Sequence, residues 1–248
     1  MILSYQSNKD EVIAVYKPLG LTPLETLERL RRLKPELEKE KLSYAGRLDP
    51  LAEGVMPVLV GRANLKREQF LNLDKTYEAE FIFGCSTDTG DLLGCLNNFS
   101  TIAVALENEK EKLKSLIGSF FQEYPKYSSP RLAGSNKKGK EVSLYSLDFL
   151  TESQISGLEL FKQVKQIIKL VKPGFRQTEI LLSWQKKEKE FNQCLWPLLK
   201  VRLNTSAGFY VRGLTQSMEI KTGAPVVLSR LIRLQAGDYS INKALKLA

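Results

Sequence analysis

The chain of 248 residues carries 37 Lys and Arg residues against 28 Asp and Glu residues, a formal net charge of +9. It contains no histidine, which excludes Ser-His-Asp and Cys-His catalysis and every zinc site that uses histidine. The excess of positive charge favours a polyanionic partner such as nucleic acid, because Lys and Arg gain affinity when phosphates release their counterions, although a merely basic soluble protein has the same composition.

Two further counts bear on the compartment. The three cysteines form no CxxC pair, so we expect them to be reduced. No stretch reaches the ~18 apolar residues that a membrane helix needs, and the N-terminus lacks the pattern of a signal peptide. These features predict a cytoplasmic protein with no membrane partner.

The first third of the chain predicts three strands and a helix. Thr22 and Glu25 form a capping box around Pro23, which marks a helix start. Pro57 lies inside an apolar run and is compatible with a strand only at an edge or where it begins after the proline. The predicted elements are a strand over Glu11–Lys17, an amphipathic helix over Pro23–Leu33, a buried strand over Gly54–Gly61 and a half-buried strand over Lys75–Gly84.

The rest of the chain mixes strands and helices without a regular βαβ alternation, which favours a single α+β domain over residues 1–248. We find no internal repeat and no domain break. The predicted elements are a surface helix over Val104–Phe120, a long loop over Tyr124–Ser146, a helical or mixed stretch over Gly157–Val171, strands over Gln177–Trp184 and Trp196–Ser206 that flank a charged hairpin, a loop entering a helix over Ser206–Gly223, and an extended segment over Pro225–Tyr239.

The stretch "SYAGRLDPLAEGVMPVLVG" places one carboxylate, Asp49, between Leu48 and Pro50 where the buried strand begins. Asp before Pro commonly initiates an ordinary turn. The segment is otherwise built for the interior, however, and an unpaired carboxylate is costly there. We therefore expect Asp49 to have a cationic partner and a chemical use.

The segment "GRLDPLAEGVMPVLVG" resembles the catalytic motif of the TruB family of bacterial pseudouridine synthases, which modify uridine 55 of transfer RNA. The resemblance implies the pseudouridine synthase fold, a mixed and largely antiparallel central sheet flanked by helices, with an active-site cleft. Further blocks follow in the family's order and cover most of the chain: "YKPLGLTP", "KTYEAEFIFGCSTDTGDLLG", "YPKYSSPRLAGSNKKGKEVSLY", "SAGFYVRGL" and "LSRLIRLQAGDY".

The chemistry implied by the resemblance cuts the N-glycosidic bond of uridine, turns the base and joins C5 to C1′ of the ribose. Asp49 would act at the sugar as nucleophile or as stabiliser of an electron-poor intermediate, with Arg212 as its ion-pair partner. Tyr77 would lie against the base, and Tyr210 and Leu231 would complete the base pocket. No metal or organic cofactor is implied. Without the resemblance, Tyr77, Tyr210 and Leu231 are equally well explained as core residues and Arg212 as a helix-surface arginine.

Other residues are assigned to substrate binding. Tyr44 stands where the family usually has a histidine; its ring can stack on a base but cannot carry a positive charge. Arg47 replaces a small residue of the family, and Lys17 lies in the N-terminal block. The loop over Tyr124–Ser146 is a candidate RNA-binding flap, with a solvated mobile loop as the alternative; its lysines and tyrosines suited to phosphates and bases are Tyr124, Tyr127, Lys137, Lys138 and Lys140.

The expected partner is tRNA, contacted at its T-arm by a monomeric enzyme. The chain stops soon after Tyr239, so we expect a catalytic core without the C-terminal PUA domain of many family members. Two alternatives stay open: the same chemistry on ribosomal or another RNA, and a non-catalytic RNA-binding or RNA-folding protein on the same fold. An unrelated basic protein is the remaining alternative, which the ordered blocks disfavour.

Overall fold

A computed structural model describes residues 10–101, 104–128 and 138–247. The strands are β1 (Asp10–Lys17), β2 (Leu42–Tyr44), β3 (Ala52–Gly61), β4 (Lys75–Phe83), β5 (Cys85–Thr87), β6 (Leu96–Phe99), β7 (Gly118–Glu123), β8 (Gly139–Ser156), β9 (Leu195–Thr205), β10 (Val226–Ala236), β11 (Tyr239–Ser240) and β12 (Leu245–Lys246). The helices are α1 (Pro23–Leu33), α2 (Arg67–Leu71), α3 (Leu106–Lys114), α4 (Gly157–Leu170), α5 (Gln177–Gln185), α6 (Glu188–Phe191) and α7 (Gly213–Thr222).

One large sheet runs through the described residues in the order β12-β1-β3-β10-β4-β9-β8-β7, with β2 beside β3 and β11 beside β10. The pairs β1–β12 and β3–β10 are parallel, and the other ladders of this sheet are antiparallel. A separate hairpin joins β5 and β6. The α+β class and the mixed, largely antiparallel sheet are therefore confirmed.

Strand β4 shows how the sheet divides the molecule into a core face and a solvent face. Tyr77, Ala79 and Phe81 are buried, as the alternating pattern predicts. On the opposite face Glu78 accepts ion pairs from Lys200 at 2.8 Å and Arg202 at 2.7 Å, both on the neighbouring strand β9. The core and the candidate site thus share the face that carries Tyr77.

Strand β3 forms despite Pro57, and it lies inside the sheet rather than at an edge. One side of β3 pairs with β1 along Gly54–Gly61. The other side pairs with β10 only up to Gly54 and with β2 only from Val58 onward. Pro57 lies between these two partners, where its missing N–H interrupts no ladder.

The predicted strand over Gln177–Trp184 is wrong, because this segment forms helix α5. Ile180 and Trp184 are four residues apart and share its buried face, and the Trp184 indole donates to the carbonyl of Gly94 at 3.0 Å. A short apolar run fits a buried strand and a buried helix equally well. The charged segment that follows continues into α6 instead of forming a hairpin.

Two other boundaries differ from the prediction. Helix α3 ends at Lys114, and the C-terminal part of the predicted helix forms strand β7. The predicted loop over Tyr124–Ser146 is shorter, because β8 begins at Gly139 and pairs with β7. Residues 129–137, including Lys137, lie outside the described residues. Within the described ranges, no helix has the length and apolar character needed to span a bilayer.

Candidate active site

Asp49 lies in a tight turn at the entrance to β3. The Ala52 amide donates to the carbonyl of Asp49 at 2.9 Å, and the Gly20 amide donates to the carbonyl of Pro50 at 2.8 Å. Gly54 has φ +115°, and a Cβ on it would lie 2.3 Å from the carbonyl oxygen of Arg233 on β10. Glycine at this position lets β3 and β10 pair directly behind the turn, which fixes where Asp49 projects.

The Asp49 carboxylate contacts two guanidinium groups. Arg212 Nη2 donates to Oδ2 at 2.9 Å, and this arginine side chain is only 6% exposed. Arg47 Nε lies 3.7 Å from Oδ1 and is more exposed. The ion pair expected between Asp49 and Arg212 is present, although the two residues are far apart in the sequence.

Arg212 is held by four groups at once. Its Nη1 donates to the carbonyl of Thr89 at 2.9 Å and to that of Lys126 at 3.1 Å. Its Nε lies 3.4 Å from Oδ2 of Asp91, an ion-pair distance without hydrogen-bond geometry. Burial alone would lower the pKa of Arg212, but the charges of Asp49 and Asp91 outweigh it, so the net pKa is raised. The guanidinium is therefore a fixed positive charge in a defined orientation.

Asp91 is the buried support of this arginine, and sequence reasoning did not select it. Its Oδ1 accepts from Thr89 Oγ1 at 2.9 Å and from the Leu93 amide at 3.0 Å. Burial raises the pKa of Asp91, and the charge of Arg212 opposes that rise. The available signal was a carboxylate directly before the apolar pair in "GDLLG", where an unpaired charge is costly.

A cleft of about 570 Å³ opens beside Asp49. Its walls bring together eight residues that the sequence singled out, from β2, the Asp49 turn, β4, β8, the segment before α7 and β10: Tyr44, Arg47, Asp49, Tyr77, Lys140, Tyr210, Arg212 and Leu231. The cleft is thus built from segments that meet only in the folded sheet.

Tyr77 contacts the side chain of a fully buried arginine, Arg233. Arg233 on β10 pairs with Tyr77 on β4, and its side chain interacts with that of Tyr77. Its Nε donates to the carbonyl of Val55 at 2.7 Å and its Nη2 to that of Gly46 at 3.0 Å. Arg233 therefore ties the tyrosine to the segments on both sides of Asp49.

Tyr210 is fixed through its backbone by Gln122, another residue that sequence reasoning missed. The Gln122 side chain accepts from the Tyr210 amide at 2.8 Å and donates to the Tyr210 carbonyl at 2.9 Å. Burial, followed by the charge of Asp49, raises the pKa of Tyr210 to about 12. The phenol therefore stays protonated near neutral pH.

Lys17, which the sequence assigned to substrate binding, does not line the cleft. The side chain is fully buried and donates to the carbonyls of Pro18 at 3.0 Å and Leu21 at 2.7 Å. Tyr127 lines an adjoining groove rather than the cleft, and Lys138 is exposed outside it. Lys140 reaches the cleft and donates to the carbonyl of Ala207 at 2.9 Å.

The burial of Lys17 gives a prediction about the pH dependence of stability. Burial lowers the pKa of Lys17 from 10.5 to about 7, although the charge of Asp49 opposes the shift. Between these values the unfolded chain carries the proton and the folded chain does not, so the free energy of unfolding rises with pH.

We expect the difference in free energy of unfolding between the natural chain and Lys17→Met to grow between pH 7.5 and 9.5 by up to about 1.4 kcal/mol per pH unit. Urea denaturation at several pH values measures it. Loss of the two hydrogen bonds in Lys17→Met changes the free energy of unfolding by the same amount at every pH. It does not change how the difference between the two proteins depends on pH. A difference independent of pH would mean that Lys17 stays protonated in the fold.

The comparisons with known proteins agree with this geometry. Residues 34–170 match the family described as "TruB family pseudouridylate synthase (N terminal domain)", which covers more than half of the chain. The chain belongs to the TruB family. Among the described residues, no group of three or more Cys, Asp or Glu side chains is arranged to hold a metal ion.

Two relatives illustrate the extent of the similarity within the TruB family. The chain is 30% identical over 235 residues to "tRNA pseudouridine synthase B" of Fusobacterium nucleatum, covering 93% of this chain and 69% of that protein. It is also 30% identical over 233 residues to the protein of the same name from Gloeobacter violaceus, covering 94% of this chain and 70% of that protein.

Solved structures of low sequence identity share the fold. A Cbf5-Nop10-Gar1 complex matches 95% of this chain with a TM-score of 0.60 at 20% identity, and an archaeal Nop10-Cbf5 complex matches with a TM-score of 0.58 at 19% identity. The chain spans about half the length of the matched chains, 52% and 51% respectively. These likenesses confirm the pseudouridine synthase fold of the TruB-family chain.

Proposed function

We propose that this TruB-family chain isomerises uridine to pseudouridine in tRNA, at position 55 in the loop of the T-arm. The observation that carries the proposal is the Asp49–Arg212 ion pair at 2.9 Å in the wall of a cleft that also holds Tyr77. The names of the relatives supply the substrate class, since both are called tRNA pseudouridine synthase B.

The reaction breaks the N1–C1′ bond and forms a C5–C1′ bond within one nucleotide. The proton leaves C5 and a proton is gained at N1, so no atom is added or lost overall. As the uracil departs, C1′ becomes electron-poor, and the Asp49 carboxylate either bonds to it or stabilises it electrostatically. The base then turns within the cleft and C5 attacks C1′.

The residues around Asp49 have distinct tasks in this proposal. Arg212 holds the carboxylate in one orientation and is itself oriented by buried Asp91. Tyr77 and Tyr210 offer ring surfaces on which the base can stack while it is detached from the ribose. Confinement between these walls keeps the free base close to C1′ and limits its escape.

The target uridine must leave its loop to reach the cleft. Turning a nucleotide out of the stack costs a few kcal/mol, which contacts to its backbone can offset. Cationic side chains from three segments, the Asp49 turn, α2 and β8, line the cleft and suit phosphates: Arg47, Arg67 and Lys140. Tyr44 presents an aromatic ring at the same wall and can stack on a base left behind in the loop.

The double hydrogen bond from Gln122 gives a prediction about the base pocket. Gln122→Met keeps the volume of the side chain but leaves the Tyr210 amide and carbonyl without these partners, at a cost of about 1–3 kcal/mol in stability. Arg212 lies two residues after Tyr210, so loss of the Gln122 contacts should displace both side chains slightly. Small displacements near the reacting atoms slow catalysis, and we expect kcat/KM to fall by about 10-fold.

Thermal unfolding and steady-state pseudouridine formation measure the two effects. Gln185→Met, at an exposed position on α5, is the matched control and should behave like the natural chain. Unchanged stability and kcat/KM in Gln122→Met would show that the Gln122 contact does not position Tyr210.

The proposed function is tested by incubating the protein with unmodified tRNA transcript and with ribosomal RNA fragments, followed by chemical mapping of pseudouridine. Product at position 55 of the tRNA supports the proposal. Product in ribosomal RNA alone would show that ribosomal RNA, and not tRNA, is the substrate. Binding without product in either RNA would show a non-catalytic RNA-binding protein.

A further inference from the structure

The connection between β8 and β9 is much longer than the strands require. These antiparallel neighbours pair up to Ser156 and Leu195, where a short hairpin turn would suffice. Residues 157–194 instead leave the sheet and form α4, α5 and α6. We name this segment the β8–β9 excursion.

The excursion packs against Gly20, which in turn contacts the Asp49 turn. Leu170, at the end of α4, lies so close to Gly20 that a Cβ on that glycine would be 2.6 Å from the Leu170 Cβ. Gly20 in turn donates its amide to the carbonyl of Pro50, next to Asp49, at 2.8 Å. The C-terminal end of α4 is therefore two contacts away from the candidate catalytic carboxylate.

Helix α4 carries an exposed stripe of lysines along one side. Lys162, Lys165 and Lys169 follow one another at intervals of three and four residues, which places them on one face. Lys172 continues the stripe beyond the helix. The only carboxylate of α4, Glu159, is used in the capping box with Ser156.

The lysines of this stripe form no salt bridge within the described part of the chain, and Lys165 Nζ lies 4.0 Å from the centre of the Phe161 ring. Helix α3 offers the contrast, because each of its lysines pairs with a glutamate three residues earlier: Lys110 with Glu107, Lys112 with Glu109 and Lys114 with Glu111. Favourable interaction with the helix dipole accounts for a lysine in the last turn, such as Lys169, but not for Lys162 near the start of α4.

A groove of about 370 Å³ lies where the stripe ends. Tyr127, Phe175 and Arg176 form part of its wall, and Asp49 and Arg212 line both this groove and the catalytic cleft. The Arg176 guanidinium lies 4.8 Å from the centre of the Tyr127 ring and donates to Asp88 at 2.8 Å.

Both Tyr127 and Arg176 have positive φ, +64° and +59°. Such a conformation costs a non-glycine residue free energy and is found preferentially at functional sites. The groove therefore joins a basic helix face to the candidate active site through a wall formed by Tyr127, Phe175 and Arg176, whose guanidinium is paired with Asp88.

We propose that the lysine stripe of α4 and this groove form a second RNA-binding track, which holds the phosphate backbone of the substrate molecule whose uridine enters the cleft. The inference rests on the proposed function for the identity of the RNA. Its grounds are unbalanced positive charge along one exposed helix face, the end of that face at Gly20, which contacts the Asp49 turn, and a groove suited to a base or sugar between them.

The test uses RNA binding in an Asp49→Asn background, so that turnover does not enter the measurement. The triple variant Lys162→Gln/Lys165→Gln/Lys169→Gln is compared with Lys186→Gln/Lys187→Gln/Lys189→Gln, which removes the same charge from the same excursion where Glu188 and Glu190 are interspersed. Affinity for unmodified tRNA transcript is measured between 50 and 200 mM salt.

We expect the α4 variant to lose about 10-fold or more in affinity near 0.1 M salt and its log K against log[salt] slope to become shallower by about 2–3, one for each lost phosphate contact. The control variant should bind like the background protein. Replacement of the same three α4 lysines by arginine should restore binding, which separates charge from packing.

Unchanged affinity for tRNA in the α4 variant would contradict the proposed RNA-binding track. Equal losses of affinity in both triple variants would also contradict it, because they would reflect the net charge of the protein alone. The result is independent of catalysis: failure of the natural chain to form pseudouridine would remove the proposed function without altering this binding comparison.

Discussion

Replacement of Asp49 by asparagine is expected to reduce the rate of pseudouridine formation by at least about 10³-fold, because the carboxylate acts directly on the reacting atoms. The amide is nearly the same size as the carboxylate, so the turn and the cleft should keep their shape. It has no negative charge to place near C1′ and is a poor nucleophile. Single-turnover assays with excess protein over labelled tRNA measure the chemical step.

A neighbouring carboxylate provides the control for charge and position. Glu53 lies four residues after Asp49 but on the solvent side, where it accepts from the Tyr16 hydroxyl at 2.6 Å and pairs with Arg230 at 3.2 Å. Glu53→Gln should therefore retain full activity and bind tRNA normally. Activity of Asp49→Asn within 10-fold of the natural chain would exclude Asp49 as the group that acts at the ribose.

Replacement of Arg212 tests the other half of the ion pair. Arg212→Lys keeps a positive charge, but one ammonium cannot reach Asp49, Asp91 and the carbonyls of Thr89 and Lys126 together, which the forked guanidinium does. We expect kcat to fall by about 10²–10³-fold with little change in KM, because a misoriented carboxylate affects the reacting atoms more than RNA binding.

Arg212→Met removes the charge altogether and addresses stability. Asp91 would remain buried without its cation, and breaking one partner out of a buried pair costs about 3–5 kcal/mol. Chemical denaturation measures this loss. Arg202→Met is the matched control, since Arg202 pairs with Glu78 at 2.7 Å on the solvent face, where an exposed pair contributes about 1 kcal/mol or less. Similar losses in the two variants would contradict the role given to the buried pair.

Much of the site could be anticipated because its residues lie in local patterns. Asp49 stands out as an acid in an apolar segment, and its ion pair with Arg212 follows from the resemblance to the TruB family. The capping box of Thr22 and Glu25 and the alternation along β4 are likewise local, and both are confirmed. Such features depend on neighbours in the sequence, which a single chain displays directly.

The features that were missed depend on contacts between distant segments. Gln122 is an ordinary polar residue until β7 is placed beside Tyr210, 88 residues away. Lys17 was assigned to substrate binding as part of the N-terminal block of the family resemblance, but the fold buries it against two carbonyls. Helix α5 was taken for a strand because its apolar run is short, and only packing of Trp184 against Gly94 decides between the two.

The structure of the Asp49→Asn protein bound to unmodified T-arm RNA would show whether position 49 faces the ribose of an everted uridine. We expect the target uridine to be turned out of its loop and to lie between Tyr77 and Tyr210. The side chain at position 49 should then be about 3–3.5 Å from C1′ of its ribose. A uridine still stacked in the loop, or a ribose on the far side of Arg212 and out of reach of position 49, would exclude Asp49 as the group that acts at C1′.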